Sequence, residues 1–463
     1  MRLFMPAWLA ESIEYWVRKT PSRTNRWLDR TPRWAIRRTA DANLIRLLQY
    51  VWRRSPAERK RWESGGLRER DLHSPDVLAR IPFTTGPDLA DRPEDFFCVP
   101  PEELIHLFST SGTRGTVKKI YLTARDLDRQ LTLMGATLSR LPGASRALVM
   151  YCTEYTTWST GPIARRAVER AGMFGLLSNT RHSVPEQIQL IKEHHIDLLL
   201  AAPAYLHRIT VEAREDLRRL GVRYILLAAE PWSEEFRAMI ESAWGAKALD
   251  VYATTECAYA IAGECRCQNG LHISETDLRV EIVDPATGRV LPDGVEGEIV
   301  VTTLNRRGMP LVRYRTGDLA SLLSRPERCE CGLPLRKMSR VRGRLDDMLF
   351  FGGDNVFPDE FDRALLAVPG VTDYQLVIEK DSYKDVCHVT VEAARRDQGL
   401  KDAVLQALLA IPRIRVANDV AKTFHLASVD VVSPGALSAG RPKTRRIIDH
   451  RPPSVRPAPP PHP

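Results

Sequence analysis

Two textures of apolar residues alternate along the chain. RALVMYC (Arg146–Cys152), LLLA (Leu198–Ala201), YILLA (Tyr224–Ala228) and LDVY (Leu249–Tyr252) are short, nearly unbroken apolar runs, as buried strands require. Between them apolar residues recur at helical spacing, in PIARRAVERAG (Pro162–Gly172) and SEEFRAMIESAW (Ser233–Trp244). The alternation predicts an α/β fold with an at least partly parallel sheet. From Leu278 to Thr303 the period shortens: LRVEIVD, the turn-rich PATGRVLPDG and EGEIVVTT predict a hairpin in a small antiparallel β unit. Further on, YQLVIEK and VCHVTVEA read as strands and KDAVLQALLA as a helix, enough for a separate α+β domain. These patterns divide the chain into a large N-terminal domain, 1–343, mostly helical over 1–101, and a smaller C-terminal domain, 344–450. The proline-rich end, 451–463, cannot pack a core and is expected to be a disordered tail.

Composition narrows the class. The 463 residues are 43% hydrophobic and 27% charged, as in soluble globular proteins. No apolar run approaches the roughly 20 residues that span a bilayer. The start, MRLFMPAWLAESIEYW, carries Glu11 and Glu14 and no cleavage-type segment, so a cytoplasmic protein is expected. Eight cysteines in a reducing compartment should be thiols or metal ligands. The net charge of +9 is local: Arg18 to Arg61 holds fourteen Lys/Arg against three Asp/Glu. That segment interleaves Trp27, Trp34, Trp52 and Trp62 with arginines. It reads either as a nucleic-acid or membrane surface or as amphipathic helices with tryptophans in a core. The helical spacing of LIRLLQYVW favours the second and weighs against a nucleic-acid partner. HExxH, GxSxG and GxGxxG are all absent, so metalloprotease, α/β-hydrolase and dehydrogenase readings have no anchor.

Candidate chemistry begins at STSGTRGTVKK, Ser109 to Lys119. Glycines let backbone N–H groups approach an anion, hydroxyls add donors, and Lys118 adds charge. The Walker spacing is absent, and alone the stretch is as readily a turn. It is followed, in order, by AAEPW (228–232), YATTE (252–256), RYRTGDLA (313–320), GRLDDMLFFGGDNVFP (343–358) and GRPKTRRIIDHR (440–451). As an ordered set these six elements resemble the adenylate-forming enzymes of the acyl-CoA synthetase class, in wording closest to the phenylacetate–CoA ligase branch. The resemblance spans roughly residues 70 to 450.

The resemblance implies that ATP activates a small carboxylic acid as an acyl-adenylate, with Mg²⁺ on the departing pyrophosphate. The acyl group then passes to CoA or to the phosphopantetheine of an acyl carrier protein. It places Ser109, Thr110, Ser111, Gly112, Thr113, Gly115 and Lys118 on the phosphates and Ala229, Glu230 and Pro231 around adenine. Tyr252 packs on the base, within the signal that also holds Thr255. Asp318 takes the ribose hydroxyls, with Arg344 at ribose or phosphate, and Glu256 helps hold Mg²⁺ as a hard carboxylate ligand. Asp346 matches the hinge of a rotating lid, and Lys443 the lid lysine that reaches the reacting carboxylate and α-phosphate. Departures from the family wording are Arg114 and Val117 in the loop, Ala253 after Tyr252, Gly352, and Pro442 before the lysine. They leave room for a rival reading, a zinc-stabilised binding protein on a degenerate ligase scaffold. Relatives often form homodimers, which the resemblance extends here by analogy only.

Two further constellations stand out. GECRCQNGLH and RCECG bring thiols and an imidazole to spacings suited to tetrahedral Zn²⁺. Members of this branch can carry a structural zinc at matching places. The expected ligands are Cys265, His272, Cys329 and Cys331, with Cys267 as the alternative to Cys265, tying two loops of the β unit together. Tyr155, Trp158 and Tyr205 form either an aromatic slot for an aryl acid or part of the core.

Overall fold

The computed structural model describes residues 17–110, 117–152, 160–179, 182–230, 232–324, 329–345, 349–351, 354–356, 358–381, 384–420, 423–437 and 446–451. Three helices open it: α1 (Pro21–Arg30), α2 (Arg33–Arg54) and α3 (Pro56–Ser64). Of their tryptophans, Trp62 and Trp52 are buried in one cluster with Leu44, Leu48 and Leu78, whereas Trp34 is 66% exposed. The basic segment is thus largely a docked helical layer. Arg18 is itself buried, and with Arg129 it flanks Asp277 at 2.5 and 2.7 Å.

The strands β1 (His106–Ser109) and β2 (Lys119–Leu122) form a separate antiparallel pair on either side of the glycine-rich stretch. Helix α4 (Ala124–Leu138) follows, started by a capping box in which Thr123 and Asp126 satisfy each other's backbone N–H. The central sheet is then built by β3 (Arg146–Cys152), α5 (Thr160–Arg170), β4 (Phe174–Asn179), α6 (Val184–Glu193), β5 (Leu198–Ala201), α7 (Pro203–Glu212), β6 (Tyr224–Ala228), α8 (Glu234–Trp244) and β7 (Lys247–Thr254). Strands β4, β3, β5, β6 and β7 lie side by side and parallel. Period-two geometry divides the apolar runs between two faces. Leu198, Leu200, Leu226 and Leu249 join the core under α4 and α5, while Leu199, Ala201, Ile225 and Leu227 join that under α6 and α8. The sheet is extended antiparallel by β8 (Tyr259–Glu264) and β9 (Leu271–Ile273). The smaller sheet contains β10 (Leu278–Val283), β11 (Glu296–Thr303) and β12 (Tyr314–Ser321), the expected antiparallel unit. Two short strands complete the sheets: β13 (Lys337–Met338) pairs with β9, and β14 (Gly343–Arg344) with β12. Arg344 therefore still belongs to the first unit rather than opening the second.

The C-terminal part begins with the hairpin β15 (Leu349–Phe351) and β16 (Asp354–Val356) and with α9 (Pro358–Leu365). Then come β17 (Val371–Asp381), β18 (Lys384–Ala393), α10 (Gln398–Ala410), β19 (Phe424–Val432) and β20 (Ile447–Asp449). The sheet order β19-β18-β17-β20 encloses its own core, as an α+β domain requires. Arg451, assigned to the tail by composition, is instead 2% exposed and pairs with Asp449 and Asp385. The remaining tail, 452–463, lies outside the described residues. Arg342 connects the two parts: it reaches Glu296 at 2.9 Å and Glu360 of α9 at 3.4 Å. Among the described residues no helix is long and apolar enough to cross a membrane.

Candidate active site

The carboxyl ends of β6 and β7, the β1–β2 pair and strand β12 face a common cavity of about 1030 Å³. Such a position, beyond the carboxyl ends of parallel strands, is where open α/β sheets hold ligands. The base of the glycine-rich loop is pinched shut. Thr110 N–H donates to Lys118 O at 3.1 Å, and Lys118 N–H donates to Thr110 Oγ1 at 3.0 Å. Ser109 ends β1 beside this clasp. Ser111, Gly112, Thr113 and Gly115 lie outside the described residues.

Two tyrosine–carboxylate pairs dominate the site, and they cross. Strand β7 supplies Tyr252 and the turn just after it Glu256, four residues on; strand β12 supplies Tyr314 and, four residues on, Asp318. Tyr252 OH donates to Asp318 at 2.6 Å, and Tyr314 OH donates to Glu256 at 2.7 Å. Each strand's hydroxyl holds the other's carboxylate. Lys118 Nζ also donates to Glu256, and Arg344 to Asp318 at 2.9 Å. Burial would raise the Glu256 carboxyl, but the Lys118 ammonium and the Tyr314 hydroxyl outweigh it and hold the group below its ordinary range. Burial first, then the Asp318 charge, pushes the Tyr252 phenol well above its ordinary value, so it remains a donor.

The turn after β7 is fixed from outside. Arg306, 4% exposed, donates to the backbone oxygens of Glu256 at 2.7 Å and Cys257 at 2.5 Å. Thr255 O accepts from Ala258 N–H at 2.8 Å, and Ala258 takes the left-handed backbone at φ 66°. Ala229 does so as well, at φ 77°, immediately before Glu230. Non-glycine residues in that region carry backbone strain, which tends to collect at working sites. Glu230 is held by Ala204 N–H at 3.0 Å and faces the cavity, as do Ala229, Thr255 and Arg344.

Of the two sequence readings of Tyr205, the structure favours the core over the aromatic slot. Its hydroxyl accepts from Gln187 Nε2 at 2.7 Å, and its ring packs against the core on the α6–α8 side, away from this cavity. It sits one turn into α7, whose apolar face that core needs. Tyr155, Trp158, Pro231, Asp346 and Lys443 lie outside the described residues. Sequence reading also missed Tyr314 and Arg306. Tyr314 stands inside the quoted RYRTGDLA, but its role depends on a partner 58 positions away.

The Cys/His reading is brought together as expected. Ligand atoms of Cys265, His272, Cys329 and Cys331 lie within 4.8 Å of one another, and Cys267 is not among the four. Cys265 Sγ is 3.7 Å from Cys329 Sγ, and Cys331 Sγ is 3.4 Å from His272 Nε2. Three thiols and an imidazole at this spacing suit tetrahedral zinc. The cluster joins the β8–β9 edge of the large sheet to the loop before β13, rather than two loops of the small β unit.

The sequence profile of the AMP-binding enzyme family matches residues 48–305, and that of the AMP-binding enzyme C-terminal domain matches residues 353–451. The chain belongs to the AMP-binding enzyme family. Within it, the chain is 31% identical to the phenylacetate-coenzyme A ligase of Thermus thermophilus, over 92% of this chain and 98% of that one. It is 29% identical to that of Escherichia coli, over 87% and 92%. Among solved structures it resembles 2-hydroxyisobutyryl-CoA ligase in the postadenylation state with its acyl-AMP. The TM-score there is 0.75, with 23% identity over 88% of each chain. That likeness speaks to the fold.

Proposed function

We propose that this chain is an ATP-dependent acid–CoA ligase, forming an acyl-adenylate and then an acyl-CoA. The observation that carries the reading is the crossed pairing, which fixes two carboxylates, Glu256 and Asp318, in the wall of one cavity. Asp318 would take the ribose hydroxyls, since a carboxylate fixed by Tyr252 and Arg344 is a rigid acceptor. Glu256 would help hold Mg²⁺: its charge is kept by Lys118 and its oxygens are hard donors. The ion would neutralise charge on the phosphates. Thr110, Lys118 and the loop between them would bind the phosphate chain. Ala229, Glu230 and Pro231 would line adenine. Lys443, from the C-terminal domain, would meet charge at the reacting centre, with Asp346 as the hinge. Zn²⁺ at Cys265, His272, Cys329 and Cys331 would brace the sheet edge, since four protein ligands leave no open position.

The names of the relatives support CoA as the acceptor and an aryl acid as the substrate. The test is pyrophosphate release across a carboxylic acid library, followed by CoA addition. Release with an acid and thioester formation with CoA are expected, and Lys443→Ala should lose release while retaining ATP. Release without CoA consumption would shift the acceptor to a carrier protein. ATP binding without release for any acid would leave a degenerate binding protein.

A further inference from the structure

We propose that the acid's tail lies in the groove between α4 and strands β7–β9, and that Gly263 sets the length the groove accepts. The inference rests on the ligase reading above. The cavity that holds Glu256 and Asp318 does not stop at the nucleotide residues. It continues across the sheet, with Leu133, Met134 and Thr137 of α4 on one side and Val251 and Ala260 on the other. Its far end is lined by Leu28 and Leu333, which pack together. A ligand lying along β7 from Thr254 back to Val251 runs past three residues, about 10 Å at strand rise. At that depth the register sets Gly263 directly between Val251 and His272.

Gly263 pairs with His272 of the Cys/His cluster, but neither its backbone nor its contacts require a glycine there. Gly161 and Gly343 aside, each other described glycine either takes a left-handed backbone or would bring a Cβ within 4 Å of a neighbour. Gly263 does neither: its backbone is ordinary strand, and a Cβ there would meet nothing within 4 Å. A glycine inside a strand weakens it and marks a close approach by something else. The space left open belongs to the cavity, which Cys265, His272 and Cys331 also line, and the part along β7 is assigned to the acid. Of the charged side chains at the groove's margin, Arg18 is engaged by Asp277, Arg140 by Asp29 and Glu264 by Arg237. The matching substrate class is a carboxylic acid with an extended, uncharged apolar tail.

The test is the series Gly263→Ala, Gly263→Val and Gly263→Leu in the full-length protein. Pyrophosphate release is measured with monocarboxylic acids of increasing length, alongside thermal unfolding and bound zinc for each variant. The Leu variant should lose about 10- to 100-fold in kcat/KM on the longest acids accepted, with the shortest unaffected, and Val and Ala should fall between. Should Leu fail to fold, the Ala and Val steps still move the length cut-off in the same direction. An equal loss on all acids, or an unmoved cut-off, in variants with wild-type melting and zinc would overturn the role of Gly263 while leaving the ligase reading intact. A wild-type protein that releases pyrophosphate with no acid would instead sink the ligase reading, and this inference with it.

Discussion

Glu256→Gln removes one charge and almost no volume, so its cost can be worked from the geometry. The side chain is 7% exposed, and one of its oxygens accepts from both Lys118 Nζ and Tyr314 OH. Hydrogen bonds to a charged group contribute about 1.5–3 kcal/mol each, against about 0.5–1.5 kcal/mol between neutral groups. Only the Tyr314 bond becomes neutral, since Lys118 keeps its charge, so the substitution should cost about 1–1.5 kcal/mol of stability. The amide still offers Lys118 an acceptor, so the loss stays below the roughly 3–5 kcal/mol expected when a buried charge loses its partner outright. The sign with pH follows from the depressed carboxyl. Its stabilisation is fully present above the ordinary value of 4.5 and is lost as pH falls through the lower folded value. The gap between wild type and variant should therefore close only in acid. Catalysis should fall further, about 10²–10³ in kcat, as for other losses of a preorganised electrostatic contact. The assay is pyrophosphate release against Mg²⁺ concentration at saturating ATP and acid. The variant should need more Mg²⁺ for half-maximal rate. A folded Glu256→Gln protein with unchanged Mg²⁺ dependence and rate would show that the carboxylate serves only to pair Lys118.

Other substitutions separate the remaining roles. Tyr252→Phe removes the donor at 2.6 Å from Asp318 and should raise the KM for ATP about tenfold, leaving the Mg²⁺ requirement alone; an unchanged KM refutes the ribose role built on that pair. Cys331→Ser should abolish bound zinc, measured as about one ion per wild-type chain by elemental analysis, and lower the melting temperature; wild-type chain without zinc would end the metal reading. Asp277→Asn leaves Arg18 and Arg129 without their shared counter-charge and should cost about 3–5 kcal/mol in denaturant unfolding. Burial alone would raise Asp277, but the two arginines hold it far below 3.8, so this deficit should persist to strongly acid pH.

The legible parts of the fold are those where one physical demand dominates. LLLA and YILLA coincide with β5 and β6 to the residue, since strands buried on both faces show no alternation to misread. SEEFRAMIESAW coincides with α8 plus its cap, since Ser233 accepts from Phe236 N–H and Gly245 takes the left-handed close. Strands β1 and β2 were not legible: each has four residues of mixed burial and pairs only with the other. Nor was the buried end at Arg451, where an arginine in proline-rich surroundings reads as tail until Asp385 appears opposite it.

The motifs gave the site's addresses but not its bonds, and the difference is physical. Glu256 and Asp318 could be named from their local wording, but what fixes them comes from the other strand. Crossing the two pairs has a consequence that neither motif carries alone. Tyr252 rides on the large sheet and Glu256 on the turn that follows its strand β7, Tyr314 and Asp318 on the small sheet, so every bond in the crossing also ties the sheets together. The two carboxylates thus keep a fixed separation, which suits a ligand that must touch both at once, as a nucleotide does with its ribose and its phosphates. It follows that Tyr314→Phe, though it removes no group proposed to touch ATP, should disturb the phosphate end chiefly, and Tyr252→Phe the ribose end. If both variants instead changed the same kinetic constant by the same factor, the hydroxyls would be acting only as a clamp between sheets.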